Sequence, residues 1–529
     1  GGVQMKTFVK TLVCLMVVFS LVLIGTDYRA SGESPMPENK VPGSVESKAR
    51  QLMNNLSKQG FEVERGYFKL YTNEDCPVSF EEIGTCWGNN PAAPYVQIAI
   101  PSWPEEYNDP ATDTAYGLNL EGYHNSYRLD PREAIIILGV LPPPAHYFGL
   151  QTYHFTRQGD FDKNSATYKL MEGTPLLLNR FFNKVPQNQE RVINFASLSN
   201  SINHKVIEGQ SGDAFDQQKY FIITPDLVMD ETIRNTLDAI SVAESDIFTE
   251  QIPSNMILGL DESADDFVTI IRYAMPFDGG GEDARSTKWR QDLPLVVLRV
   301  RDTRPNRLPV AYPPFTEPEE KQISDEFYLN GDLNNLVQAV AQRWDQPLAL
   351  DQLMPFLRVE PPPINMVGPK CSPIGMNCLG DTQDTTYQYS FPLPVGSQVV
   401  YAVVGTLGTQ TGNATYVGLG LNSTPRLLGF ANRADEDLLN SANSYAHSVN
   451  NTEKFFVYYF TRECSGLEQL TDGYCLELSN DDLPLCSSPT DPACSKLTLS
   501  IRDYMPLGSQ RGPDPNYILP ARVIPLQRP

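Results

Sequence analysis

The chain is poor in histidine, with five in 529 residues, and it lacks most short motifs that mark known chemistry. There is no G-x-S-x-G elbow for a serine nucleophile. Neither G-x-x-x-x-G-K-[ST] nor G-x-G-x-x-G occurs between a strand and a helix, so the common nucleotide cradles are missing. Covalent haem is disfavoured without C-x-x-C-H, and zinc without any C-x-x-C or a histidine at ligand spacing. No stretch follows the EF-hand pattern D-x-[DN]-x-[DN]-G. Basic residues are also outnumbered: 41 Lys and Arg against 64 Asp and Glu give a formal charge of −23. Such a surface repels phosphate backbones and anionic lipid, which argues against nucleic-acid binding. Beyond residue 24 no run is apolar enough to span a bilayer.

What is present begins with an expected leader. Residues 1–4 precede Met5 and are set aside. Lys6 and Lys10 then flank a thirteen-residue apolar run, "LVCLMVVFSLVLI", followed by small residues up to Gly32. That order is the signature of a secretory signal, here over residues 1–32. The expected location is secreted, extracellular or periplasmic, with no membrane span after the signal. Setting Cys14 aside leaves eight cysteines in four sequence-local couples: Cys76–Cys86, Cys371–Cys378, Cys464–Cys475 and Cys486–Cys494. An even count in an exported chain implies disulfides, each clipping a short loop.

Residues 33–65 read as a proline-rich linker and one amphipathic helix (46–60) ended by Gly60. Short runs rich in β-branched and aromatic residues then recur between turns: "YFKLYT", "YVQIAI", "AIIILGVL", "YFGLQTYHF", "RVINFAS", "KYFIIT", "FVTIIRYAM" and "LPLVVLRVR". They predict strands, with helices over 224–240, capped by Thr224, and over 332–344. Prolines at 358–370 separate this larger unit (66–357) from a smaller one (371–529). The smaller unit is expected to hold the strands "QVVYAVVGTLG", "ATYVGLGLN", "KFFVYYFTREC" and "KLTLSIRDY" and a helix over 435–449. The fold class is mixed α+β, strand-dominated: two β-rich domains with a few helices, braced by local disulfides.

The histidines draw attention first because imidazole titrates near neutral pH. In "LPPPAHYFGLQTYHF", alternation puts His146, Phe148, Leu150, Thr152 and His154 on one face of a strand that follows a proline corner. Eight residues of regular strand hold His146 and His154 roughly 26 Å apart, too far to share a metal ion or a reacting atom. His146, His124 and His154 are therefore separate candidates for acid–base work, with His146 beside the corner preferred. Asp381 and Asp384 follow a disulfide clip, where rigid carboxylates suit calcium or acid–base chemistry on a sugar; the same residue types also dominate ordinary turns. Trp87 and Trp103 stand beside turn residues, where an exposed indole stacks on a sugar. No cofactor is evident, and Ca2+ is the one metal these carboxylates suit.

Two functional expectations follow. One is an extracellular hydrolase acting on polysaccharide or ester-linked polymer. The other is a non-catalytic secreted protein that binds glycan or builds a surface assembly. An enzyme that uses histidine should hold at least one imidazole within ~3 Å of a carboxylate or hydroxyl in a concave pocket. Histidines that are singly buried or scattered over convex surface remove that form of the enzyme.

Overall fold

The computed structural model describes residues 39–529 apart from residues 306, 315–323, 345–348, 350, 357–366 and 485–494. The expected signal, and the Cys486–Cys494 couple, lie outside the described residues. The elements used below are, in chain order, helix α1 (Gly43–Lys58) and strands β1 (Phe61–Leu70), β2 (Val96–Pro101), β3 (Glu133–Val140), β4 (Ala145–Gln158), β5 (Asn188–Ser197) and β6 (Gln218–Thr224). Helix α2 (Leu227–Asp238), strands β7 (Ile247–Gln251), β8 (Asp266–Pro276) and β9 (Leu295–Asp302), and helix α3 (Asn330–Arg343) follow. The remainder supplies β10 (Thr385–Tyr389), β11 (Val399–Thr406), β12 (Tyr416–Thr424), β13 (Leu428–Ala434), β14 (Phe455–Thr461), β15 (Lys496–Tyr504) and β16 (Arg522–Gln527).

The first nine strands form one sheet in the order β7-β6-β3-β9-β1-β2-β8-β4-β5. β3, apolar at nearly every position, lies third in this order, and its alternation divides two cores. Ile135 and Ile137 join one cluster with Phe248 of β7, Phe221 of β6, Ile98 of β2, Phe148 and Leu150 of β4 and Ile271 of β8. Ala134, Ile136 and Leu138 join another with Leu52 and Leu56 of α1 and Met229, Ile233 and Leu237 of α2.

A single core shared by both ends of a sheet means that the sheet rolls on itself. At the seam β7 and β4 share no ladder. The Glu250 carboxylate of β7 closes the gap, accepting from the Thr152 backbone N–H (2.7 Å), the Thr152 hydroxyl (2.6 Å) and the Ser199 hydroxyl (3.1 Å). The bend of β1 as it passes from β9 to β2 falls at Gly66, where a Cβ would stand 2.3 Å from the Ala99 carbonyl oxygen.

The later chain forms two facing sheets. One contains β16-β11-β14, edged by Gln352–Leu353 and Cys475–Glu477; the other runs β10-β15-β12-β13. Val403, Phe456, Phe460 and Val523 of the first interdigitate with Val417, Leu419, Leu499 and Ile501 of the second. The outer face of the first is covered by Leu333, Leu336 and Val340 of α3. α3 and Gln352–Leu353 precede the proline-rich stretch and pack with the sheets that follow it. The outer face of the second meets the rolled sheet, with Tyr147 and Ala274 against Tyr416, Tyr504 and Met505.

The fold is therefore mixed α+β and strand-dominated, and three expected disulfides are present: Cys76–Cys86, Cys371–Cys378 and Cys464–Cys475. Two helix expectations need correction. Asp226, not Thr224, caps α2, its side chain accepting from the Val228 N–H, so the helix begins at Leu227. No long helix spans 435–449: Asp435–Leu438 makes one turn and Asn443–Tyr445 a 3-10 turn. Asn440 between them adopts φ 65°, and Asn and Ser bond their own backbone instead of extending a helix. Among the described residues no helix is long and apolar enough to cross a membrane.

Burial raises the Glu250 pKa from 4.5 to about 7, against the lowering by Thr152, Ser199 and Gln151. The folded chain thus holds this proton more tightly than the unfolded one. The stability it contributes is complete below pH 4.5 and lost as pH rises through 7. Glu250→Gln should remove this component, on the order of 3 kcal/mol. Urea unfolding of both proteins at mildly acidic and mildly alkaline pH checks it: an equal pH dependence in the two would exclude Glu250 as its source.

Candidate functional site

One histidine meets a carboxylate in a concavity. His124 belongs to a two-residue strand, Tyr123–His124, that pairs with Ile100 and Pro101 at the end of β2. Asn125 pins the turn by donating to the Ile98 carbonyl (2.7 Å), and Ser126–Tyr127 then pairs with β8. The loop after Trp103 passes over this corner, where Asp109 accepts from Ala111 N–H (2.9 Å) and from Asn188 of β5 (2.8 Å). It delivers Asp113, whose Oδ1 contacts His124 Nδ1. The His124 side chain is 14% exposed and that of Asp113 40%.

Both line a part-open cavity with about 210 Å³ of empty space, counting its mouth, together with Thr112, Ser126, Tyr127 and Arg128. Its inner wall is a matched ion network. Asp266 is 3.1 Å from Arg128 and 3.2 Å from Arg191, and Glu106 is 2.6 Å from Arg299, which also holds Glu133. Burial raises the Asp266 and Glu133 pKa values, and the arginines oppose that rise. Beside Asp113, burial raises Glu82 to about 7, with Asp113 and Asp109 adding to the rise and Thr114 lowering it.

The other candidates lie apart. His146, the preferred histidine, is half-buried and its contacts are aromatic: Phe277 at 5.0 Å and Tyr416 at 6.2 Å between ring centroids. His154 is fully buried, with Nδ1 3.0 Å from the Ser372 hydroxyl and Nε2 3.3 Å from Asp265. Burial opposes ionisation of Asp265, but His154 and Arg157 outweigh it and hold that carboxyl below its usual range. His204 accepts from the Phe148 N–H at 3.4 Å, and burial lowers its pKa to about 4. His447 is exposed beside the Ser444 carbonyl.

Trp87 and Trp103 are buried, 6% and 4% exposed, and offer no open indole face. Trp87 stacks on Tyr116 at 4.4 Å and donates to the Ala115 carbonyl, and Trp103 lies under Arg301 at 4.4 Å and Arg299 at 5.2 Å.

Asp381 and Asp384 are likewise inside. Asp381 accepts from the Ser197 N–H (2.8 Å), the Ser197 hydroxyl (2.7 Å) and the Gly368 N–H (2.8 Å). Asp384 accepts from the Tyr147 hydroxyl (2.6 Å), Asn203 (3.2 Å) and the Ser201 hydroxyl. Burial raises both pKa values, that of Asp381 to about 6, against these donors. Both carboxylates dock the clipped segment onto β4 and β5. Among the described residues no group of three or more His, Cys, Asp or Glu is placed to hold a metal ion.

Sequence reasoning named His124 and missed Asp113, eleven residues away in an irregular loop with no spacing signal. No family model and no curated protein matches the chain. Among solved structures, a putative uncharacterized protein from Burkholderia cenocepacia is 9% identical and covers 91% of this chain and 87% of its own, with a TM-score of 0.36. A protein from Vibrio parahaemolyticus is 11% identical and covers 91% of this chain and 96% of its own, with a TM-score of 0.34. At these scores neither bears on the site.

Asp381→Ala leaves two buried N–H groups without their acceptor and should cost about 2–4 kcal/mol, read from urea unfolding. The thermal midpoint of the unaltered protein should be the same in calcium and in chelator. A midpoint that falls in chelator for the unaltered protein, and not for Asp381→Ala, would place the ion at these carboxylates.

Proposed function

We propose that the protein is an exported hydrolase that cleaves ester-linked material, with His124 as general base and Asp113 as the residue that orients it. The observation that supports this reading is the His124–Asp113 contact inside a cavity. A carboxylate on Nδ1 fixes the imidazole tautomer and leaves the Nε2 lone pair free to accept a proton. In this reading Nε2 takes a proton from an attacking water as its oxygen bonds to the ester carbonyl carbon, the bond from that carbon to the alkoxy oxygen breaks, and the imidazolium gives the proton to the departing alkoxide.

Ester cleavage is favoured over glycoside cleavage because the base that this cavity offers is an imidazole, whereas glycoside cleavage usually uses a pair of carboxylates. Asp381 and Asp384 are committed to internal donors, and Glu106 and Asp266 to arginines. Export is supported by the N-terminal apolar segment and by the three disulfides, which persist in oxidising compartments.

The test is hydrolysis of a series of p-nitrophenyl esters by the purified protein. His124→Gln should lower kcat/KM by about 10²-fold or more. Asp113→Asn should lower kcat by at least about tenfold and alter the pH profile, because the imidazole loses its fixed tautomer. Full activity in the folded His124→Gln protein, or no hydrolysis of any ester by the unaltered one, would remove the proposal.

A further inference from the structure

Buried arginines in this fold are as a rule matched by carboxylates. Arg299 has Glu106 and Glu133, and Arg191 and Arg128 share Asp266. Arg272 of β8 and Arg502 of β15 depart from the rule. They are 5% and 4% exposed and make no ion pair with a described residue. They line one cavity, between the rolled sheet and the β10-β15-β12-β13 sheet, with about 360 Å³ of empty space counting its mouth.

Each guanidinium is aimed by neutral partners. Arg272 donates to the Tyr153 hydroxyl and to the Gly380 carbonyl (3.4 Å), and lies 5.0 Å over the Tyr95 ring. Arg502 donates to the Ser500 hydroxyl (2.9 Å) and to the Gly88 carbonyl (3.0 Å). A guanidinium carries five N–H donors, so each keeps donors beyond these bonds. The carboxylates that act on Arg272, Asp381 and Asp384, hold other donors. Burial and tyrosines are the largest influences on Arg502. Asn90 also lines the cavity. The remaining walls include the rings of Tyr95, Tyr387, Tyr389 and Tyr504.

A buried guanidinium without an ion pair keeps donors for an oxyanion, which accepts planar, charge-assisted hydrogen bonds from it. We propose that this cavity binds a small oxyanion, a carboxylate or phosphate monoester, between Arg272 and Arg502, with tyrosine rings against its body. The site is separate from the His124 cavity and does not depend on the hydrolase reading.

The probes are sodium benzoate and inorganic phosphate, with benzyl alcohol as the neutral control at matched ionic strength. At ~100 times Kd, either anion should raise the thermal midpoint of the full chain by about 2–3 °C, saturably, and benzyl alcohol should not. Arg502→Lys keeps the charge and loses the planar fork, and Arg272→Met removes one charge. Each should weaken the bound anion at least tenfold by calorimetry while ester hydrolysis, if present, is unchanged. Should a variant fail to fold, calorimetry on the unaltered protein decides alone. No saturable binding of either anion, or an equal response to benzyl alcohol, overturns the proposal.

Discussion

The Glu250 carboxylate sets the geometry on which the rest of the molecule is built. A rolled sheet that does not close by ladder bonds leaves backbone donors facing its own interior, where an unpaired N–H is costly. The Thr152 N–H is such a donor, and Glu250 reaches across the seam to take it. With the seam shut, Phe248 of β7 and Leu150 of β4 can share one apolar interior although they sit far apart in strand order. The outer faces are then free to be covered separately: by α1 and α2 on one side, and by the aromatic cluster of Trp87, Tyr116, Phe155 and Phe195 on the other.

The same device recurs wherever regular pairing stops. Asp381 takes the Ser197 and Gly368 N–H groups where the clipped segment docks on β5. Asp226 takes those of Val228 and Val310 at the start of α2. Glu326 takes the Leu519 N–H and the hydroxyls of Thr406 and Thr411 beside β11. The acidic excess of the composition is thus partly interior, acting in place of missing ladder bonds, and is not only a solvated coat. That changes what −23 implies, because several of these carboxylates gain little from the solvent that a surface charge would use.

The strands that could be read from sequence were those whose β-branched and aromatic residues reach a core on at least one face, such as "AIIILGVL" and "FVTIIRYAM". Those passed over are short, polar or interrupted: "IFTEQ" of β7, "TTYQY" of β10, "LGFANRA" of β13, and β16, which carries Pro525. Their places are decided by partners distant in sequence, which local pattern does not record. The site divides in the same way. His124 stood out because histidine is rare here. Asp113 is one of many loop acids, Arg272 lies inside a mostly apolar strand, and Arg502 shares its strand with Lys496 and Asp503. What marks these arginines is that neither makes an ion pair with a described residue, a property of the folded neighbourhood and not of any sequence window.

A net negative chain and two buried arginines without an ion pair are compatible because exposed and buried charges act over different ranges. Exposed charges are screened beyond about 8–10 Å in physiological salt, whereas a buried pair is screened much less. A long polyanion would feel the exterior along its whole length and meet the arginines with one group only. A small anion meets the exterior briefly and the arginines fully. If the cavity takes a single anionic head group as proposed, selection by size follows from charge placement, with the exterior acting against polymers.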